Sequence, residues 1–160
     1  MKNVIIPTDF SIKSLKLIHA AVDRFGEATL NITLVHALTP DHSISGLLML
    51  NKRLDVSKLL SEEFNAACEV IRNKYGATIH KLKTECYYGT SRHYMRSFLE
   101  ARQTDAIILP ADYEFKKAVK ASTDIVPELA SAGYPVFYET LRTAGQQVAE
   151  EASLSELLHI

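Results

Sequence analysis

A carboxylate follows the first apolar run of the chain, at a point where a strand is expected to end. Val4, Ile5 and Ile6 form an unbroken run of branched apolar residues, which is typical of a strand buried on both faces. Pro7 has no backbone N–H and ends such a strand, so Asp9 is predicted to lie at its carboxyl end. Asp9 then either faces a ligand crevice or hydrogen-bonds the turn that starts the next helix.

A second group of chemistry-bearing side chains lies in a loop in the later part of the chain. Lys116, Lys117 and Lys120 either bind an anion or form a solvated face, and Ser122 and Thr123 follow them. This hydroxyl pair is predicted either to cap a helix or to contact an anion at the start of that helix.

The histidines and cysteines give weaker signals. His36, at the end of the second predicted strand, is interpreted as a packing residue, and the other histidines lack the spacing of a metal site. Cys68 and Cys86 make neither a disulfide framework nor a zinc site, and both are predicted to be buried reduced thiols. The sequence therefore predicts no catalytic group and no metal ligand.

Strands and helices alternate along the chain, and this alternation predicts the fold class. The later predicted strands are 30–38, 78–88, 105–110 and 135–139, of which 78–88 has the composition of an exposed edge strand. Helical periodicity fills each interval, which predicts an α/β fold with a five-stranded, mostly parallel sheet and helices on both faces. In this three-layer, Rossmann-like sandwich, ligands bind where the strand order reverses, so Asp9 and the loop after Pro110 are expected to flank that point.

Composition limits the class of function. The chain has 160 residues, 47% of them hydrophobic and 23% charged, which fits one globular domain. A net charge of −1 gives no reason to expect a nucleic-acid or membrane partner. The sequence also lacks an apolar run long enough for a membrane span and the pattern of a signal peptide, so a cytoplasmic location is expected by default.

Several motifs, in order, resemble the universal stress protein family. They are Pro7-Thr8-Asp9-Phe10-Ser11, Val35-His36-Ala37, Gly89, Asp105-Ala106-Ile107-Ile108-Leu109 and Tyr134-Pro135-Val136. The resemblance covers residues 1–140 and leaves 141–160 as a C-terminal extension in which a short helix is expected. It implies a fold like that of the adenine nucleotide alpha-hydrolases and dimerisation through the last strand, at Val136, Phe137 and Tyr138.

For the ATP-binding members, the resemblance also implies a nucleotide site. Pro7, Thr8 and Asp9 would lie near the adenosine, and Ala37 would line the adenine. The phosphate loop of those members has the pattern Gly-x2-Gly-x9-Gly-(Ser/Thr). In this chain Pro110 and Tyr113 fall at or near the first two glycines, and Ser122-Thr123 falls at the final pair.

The loss of these glycines argues against tight ATP binding. Glycines let backbone N–H groups approach phosphate oxygens closely, whereas Pro110 has no N–H and Tyr113 carries a large side chain. Asp112 and Glu114 add negative charge, and a like-charge pair at 4 Å costs about 1 to 4 kcal/mol, depending on burial. No cofactor is firmly implied, although ATP or another adenine nucleotide remains an alternative.

Two functional hypotheses follow. The leading one is a homodimeric stress-response or regulatory module with an unknown protein partner and little ATP binding. The alternative is a sensor or slow ATPase that binds a nucleotide or another small anion through Asp9, Ala37 and the loop 110–123. The sequence has no P-loop, dinucleotide-binding fingerprint or nucleophile elbow, which favours a function other than that of a dedicated enzyme.

Overall fold

The strands form one sheet whose carboxyl ends lie along the same edge. The computed structural model describes residues 1–38, 60–88, 91–112, 115 and 122–141. The strands are β1 (Lys2–Pro7), β2 (Leu30–Leu38), β3 (Ile79–Tyr87), β4 (Ala106–Pro110), β5 (Ser122–Thr123) and β6 (Val136–Glu139). The helices are α1 (Lys16–Phe25), α2 (Glu62–Lys74), α3 (Arg92–Ala101) and α4 (Val126–Ala130), and a 3-10 turn (Lys13–Leu15) precedes α1.

The sheet has the order β3-β2-β1-β4-β6, and all neighbours on this path are parallel. The order reverses between β1 and β4, because β2 and β3 are added on one side of β1, whereas β4 and β6 are added on the other side. The predicted α/β fold is confirmed, as is the edge position of β3. The sheet has a sixth strand that the sequence pattern did not predict, since β5 pairs antiparallel with the end of β2.

Successive side chains of the buried strands point to opposite faces of the sheet and form two separate cores, one on each face. On one face, α1 and α2 pack on Val4, Ile6, Ile32, Leu34 and Ile108. On the other, α3 and α4 pack on Ile5, Val35, Ile107 and Leu109. The helices therefore lie on both faces, and the unbroken apolar runs of β1 and β4 are those expected of strands that are covered on both sides.

Two prolines stop the central strands. Pro7 is the last residue of β1 and Pro110 the last residue of β4, where each removes a ladder donor. After each proline the backbone leaves the sheet at the edge that the carboxyl ends of the parallel strands form. These strand ends fix the place where a ligand site can form.

Serines cap two helices, but the predicted cap at Ser122-Thr123 is wrong. Ser61 and Ser91 each accept a hydrogen bond from the N–H three residues later, at 3.1 Å. Ser122 and Thr123 instead pair with β2, and the Oδ1 of Asp124 accepts the Val126 N–H at 3.0 Å near the start of α4. Ser122 and Thr123 therefore pair with β2 and do not cap α4.

Other expectations are corrected or fall outside the described residues. Cys68 is buried as predicted, whereas Cys86 on the edge strand β3 is only partly buried. The predictions for Tyr113, Glu114, Lys116, Lys117, Lys120 and the segment 142–160 lie outside the described residues. Among the described residues, no helix has the length and apolar character needed to cross a bilayer.

A buried histidine links α1 to the end of α2. His19 is 1% exposed, and its Nδ1 shares a hydrogen bond with the Tyr75 hydroxyl. Its Nε2 is buried, and none of the residues that the structure describes bonds it. Burial lowers the pKa of His19 from 6.5 to about 4, with Lys74 and Lys16 acting in the same direction and Asp23 against it.

We predict that His19 makes the fold sensitive to acid. Between its unfolded pKa of 6.5 and its folded pKa of about 4, the unfolded chain binds the proton more readily. The free energy of unfolding is then unaffected above pH 6.5 and decreases as the pH falls, by up to about 3 kcal/mol. Urea unfolding from pH 7 to pH 4.5 measures this loss, and His19→Leu should show a smaller one. Parallel pH profiles for the two proteins would contradict the assignment, since the other titrating groups are common to both.

Candidate functional site

Thr8 lies where β1 leaves the sheet, and each of its polar groups is bonded. Its N–H donates to the Val35 carbonyl at 2.9 Å, which extends the β1–β2 ladder by one residue. Its hydroxyl accepts the Phe10 N–H at 3.0 Å and lies 2.8 Å from the Ser14 hydroxyl. Because Ser14 donates its own proton to the Ser11 carbonyl, the proton between the two hydroxyls comes from Thr8.

Asp9 turns toward the helix start. Its Oδ1 accepts the Ser11 N–H at 3.0 Å and also the Ser11 hydroxyl proton. The Ser11 hydroxyl in turn accepts the Ser14 N–H at 3.2 Å. These bonds are those of an aspartate that stabilises a turn, which is the second of the two roles considered for Asp9.

The turn places Phe10 in an unusual backbone conformation. Phe10 has a φ of +63°, a region that residues other than glycine rarely adopt. Its ring lies against the His36 ring, with centroids 4.5 Å apart, and meets the Phe64 ring edge-on. Hydrogen bonds on both sides and aromatic packing together hold this conformation, which costs about 1 to 3 kcal/mol.

His36 joins the end of β1 to β5. The ring is 3% exposed, its Nδ1 lies 2.8 Å from the Thr8 carbonyl oxygen, and its Nε2 lies 2.7 Å from the Ser122 hydroxyl. A carbonyl oxygen only accepts, so Nδ1 carries the proton. In the neutral ring Nε2 is then an acceptor, and the Ser122 hydroxyl donates to it.

The surroundings of His36 favour this neutral ring. Burial lowers the pKa of His36 below 6.5. The hydrogen bond to the Thr8 carbonyl and the nearby Asp9 carboxylate act in the opposite direction but do not outweigh burial. At neutral pH the side chain is therefore an uncharged acceptor aimed at a serine.

A small pocket opens beside this pair of residues. Its volume is about 90 Å³, and its lining consists of Thr8, His36, Ala37, Phe115, Ser122, Thr123, Asp124 and Ile125. The wall combines apolar surface with hydroxyls, the imidazole and one carboxylate. In the part of the chain that the structure describes, no cluster of His, Cys, Asp or Glu could hold a metal ion.

The structure brings together some of the predicted site residues. Thr8, Ala37, Ser122 and Thr123 line the pocket, whereas Pro7 and Asp9 lie beside it and are not among its lining residues. Ala37 and Thr123 are direct partners in the β2–β5 pair, which explains their proximity.

His36 was interpreted only as a packing residue, yet it connects the two halves of the pocket. Its polar contacts could not be anticipated, because Ser122 is 86 residues away in sequence. The one local signal was its position at the carboxyl end of a buried strand, where ligand-binding side chains collect.

Asp112 also has a structural contact. Its Oδ1 accepts the Leu141 N–H at 2.8 Å, and Leu141 is buried in the α1–α2 core. This carboxylate was expected to repel a polyphosphate near Pro110. Its bond to Leu141 gives it a second role, which is to fix the backbone that follows β6.

Comparison with known proteins identifies the fold. No model of a protein family and no curated protein matches the sequence. Among solved structures, the universal stress protein UspA from Lactobacillus plantarum is similar, with a TM-score of 0.54 and 18% identity over 86% of this chain and 96% of that one. A hypothetical protein solved as a test case of structural genomics has a TM-score of 0.55 and 16% identity, over 89% of this chain and 98% of that one.

A plant protein extends the comparison. A universal stress protein family member from Arabidopsis thaliana, solved with AMP bound, has a TM-score of 0.51 and 9% identity over 94% of this chain and 97% of that one. At these identities the likeness concerns the backbone, so the resemblance seen in the sequence is confirmed at the level of the fold. The chain has the fold of the universal stress proteins.

Proposed function

We propose that this chain is a stress-response or regulatory module of the universal stress type, which acts as a homodimer through protein contacts and does not bind ATP tightly. The observation that carries this proposal is the small size of the pocket at the strand ends. Its volume of about 90 Å³ is well below the roughly 300 to 1,000 Å³ of most ligand pockets. A nucleotide would have to open this part of the fold before it could bind.

The polar groups around the pocket support the same conclusion. The Thr8 hydroxyl already uses its proton and accepts an N–H, and Asp9 accepts two bonds from Ser11. A nucleotide that replaced these bonds would gain little net free energy, because each new contact would cost an existing one. At the positions of the first two glycines, Pro110 has no backbone N–H to donate to a phosphate, and Tyr113 carries a side chain that hinders its close approach.

The last strand supports the proposed homodimer. β6 pairs with β4 on one side and ends the β3-to-β6 path of the sheet. The carbonyls of Pro135 and Glu139 accept bonds from β4. Since peptide groups alternate in direction along a strand, the N–H and C=O of Val136 and Tyr138 point toward the other edge of β6, where no described strand pairs and which is called the open edge below. A second copy could pair there.

The side chains of β6 lie in two environments: one packs within the chain, and another is exposed where the proposed partner would bind. Phe137 packs within the chain, edge-on to Phe25 at 5.4 Å and under the Arg24 guanidinium at 4.9 Å. Tyr138 is 53% exposed, which is unusual for an aromatic residue on an edge strand. Tyr138 is thus the side chain through which contact with a second copy is best tested.

A second candidate function is retained because of one comparison. The Arabidopsis protein with this fold was solved with AMP bound. AMP has a single phosphate and depends less than ATP on a phosphate loop, so it is a candidate for weak binding if the pocket opens, and a smaller anion is a candidate without opening. Thr8, Ala37, Ser122 and Thr123 would be its contacts, with the chain acting as a sensor.

Calorimetry distinguishes the two candidates. We expect no heat of binding from ATP or ADP at millimolar concentration, because the pocket is small and the phosphate donors are missing. AMP and cyclic dinucleotides serve as the test of the second candidate. Saturable binding of ATP below about 10 μM would contradict the proposed function, since that affinity corresponds to about 7 kcal/mol of favourable contacts.

Variants at Asp9 test whether this carboxylate is structural. Asp9→Ala should lower the free energy of unfolding by about 1 kcal/mol, because two donors of Ser11 lose their acceptor. Asp9→Asn keeps an oxygen acceptor and should lose less. Urea unfolding measures both. Equal stability of Asp9→Ala and the unchanged protein would contradict the structural role.

Variants at Tyr138 test the proposed pairing of β6. Tyr138→Pro removes an N–H at the open edge without removing a bond to β4, so it should convert a dimer into a monomer in sedimentation equilibrium. Tyr138→Thr keeps that N–H but removes the exposed ring, so it should weaken the dimer less than Tyr138→Pro does and separates backbone pairing from side-chain contact. A truncation after Leu141 shows whether the segment 142–160 is needed. If the unchanged and truncated proteins are both monomers, the pairing of β6 is wrong.

A further inference from the structure

The contact between Ser122 and His36 has the arrangement of a nucleophile with its base. The Ser122 hydroxyl lies 2.7 Å from Nε2, within the range that general-base activation requires. Both residues line the same pocket, which places the pair beside any small molecule that enters it. We infer that Ser122 is an activated hydroxyl that accepts a small acyl group from an ester, with His36 as its general base.

The third group of this constellation is a backbone carbonyl. The Thr8 oxygen accepts the Nδ1 proton of His36 at 2.8 Å. It fixes the tautomer in which Nε2 faces Ser122, which is the orienting role that a carboxylate has in serine hydrolases. The neighbouring Asp9 carboxylate raises the pKa of His36 against the effect of burial, and so favours the imidazolium that forms during the reaction.

The backbone around the pair is rigid and strained. Phe10, with its φ of +63°, covers one face of the His36 ring. Strained residues that their surroundings hold in place occur preferentially at functional sites. On β5, Thr123 follows Ser122 and also lines the pocket. Because the Thr8 hydroxyl has already given its proton to Ser14, Thr123 supplies the threonine hydroxyl of the pocket wall that can donate to charge developing on the carbonyl oxygen.

The proposed step is an acyl transfer to serine. The Ser122 oxygen attacks the ester carbonyl carbon while the hydroxyl proton passes to Nε2 of His36. The tetrahedral intermediate then breaks its bond to the alcohol oxygen, which takes that proton and leaves. The products are acyl-Ser122, the free alcohol and neutral His36. Water can then attack the acyl group by the same route and release a carboxylic acid.

The size of the pocket limits the acyl group. A volume of about 90 Å³ is well below the roughly 300 to 1,000 Å³ of most ligand pockets, which favours the smallest acyl groups. An acetyl group, with three heavy atoms, is therefore expected to react in preference to a benzoyl group. The class of substrate is therefore a short-chain ester, of acetyl size, with its alcohol portion in solvent.

Two reagents of different size provide the test on the full chain. Methanesulfonyl fluoride transfers its sulfonyl group to an activated serine with loss of fluoride, and phenylmethanesulfonyl fluoride does the same with a larger group. Peptide mapping by mass spectrometry should locate the smaller adduct on Ser122 and show little of the larger one. 4-Nitrophenyl acetate should likewise give an acetyl adduct on Ser122 with release of nitrophenol.

Variants separate activation from simple exposure. Ser122→Ala should lose the adduct, and His36→Gln should slow its formation by at least about 100-fold. Ser131→Ala, in the turn after α4, should label like the unchanged protein. Ser14 is an internal control, because it is as buried as Ser122 but bonds Thr8 instead of a histidine, and it should stay unlabelled. Circular dichroism checks that each variant is folded.

The pH profile keeps the test decisive if His36→Gln fails to fold. The labelling rate of the unchanged protein should rise through the pKa of His36, below 6.5, and then stay level up to pH 9. Among the described residues, Asp9 and the pocket residue Asp124 are the charged groups near His36 that could modify this profile. A rate that increases tenfold per pH unit without levelling, equal labelling of Ser14, or no adduct on Ser122 would overturn the inference.

Discussion

The hydrogen bonds of Thr8 are the constraint on which the rest of the site depends. Thr8 is 3% exposed and lies immediately after the proline that ends β1, so its polar groups need partners within the protein. Its N–H donates to the Val35 carbonyl, and its carbonyl accepts the Nδ1 proton of His36. Its hydroxyl accepts the Phe10 N–H and donates to the Ser14 hydroxyl. One residue thus ties the first strand to the second strand and to the helix that follows.

Because these bonds share Thr8, the positions of Thr8, His36 and Ser122 in the pocket depend on one another. The Thr8 carbonyl fixes the tautomer of His36, and the other ring nitrogen fixes the Ser122 hydroxyl. Ser122 belongs to the short strand β5, which the pairing with Leu38 holds against β2. A change at the end of β1 is therefore transmitted through one imidazole ring to residues far along the chain. Removing one member of such a network leaves a buried polar group without its partner, so its members are expected to respond together to substitution.

The architecture could be predicted from sequence because it depends on patterns within single segments. The apolar runs before Pro7 and Pro110 indicated buried central strands, and the composition of 78–88 indicated an edge strand. The site depends on contacts between segments, which such patterns do not contain. β5 has two residues, too few for a periodicity, and Ser122 and His36 are 86 residues apart. The positive φ of Phe10 follows from the bonds around it and not from its residue type.

The same fold can keep its core while the chemistry at its strand ends changes, because the two depend on different residues. Most of the core side chains within β1, β2 and β4 lie away from the pocket, and Ala37 and Ile125 are the core residues that also line it. At the strand ends, Asp9 is bonded to Ser11 and Asp112 to the backbone of Leu141. A polyphosphate would have to replace these internal bonds and also meet the carboxylates themselves. A neutral, acetyl-sized group meets neither obstacle, since it can enter beside His36 without breaking a bond of Asp9 or Asp112.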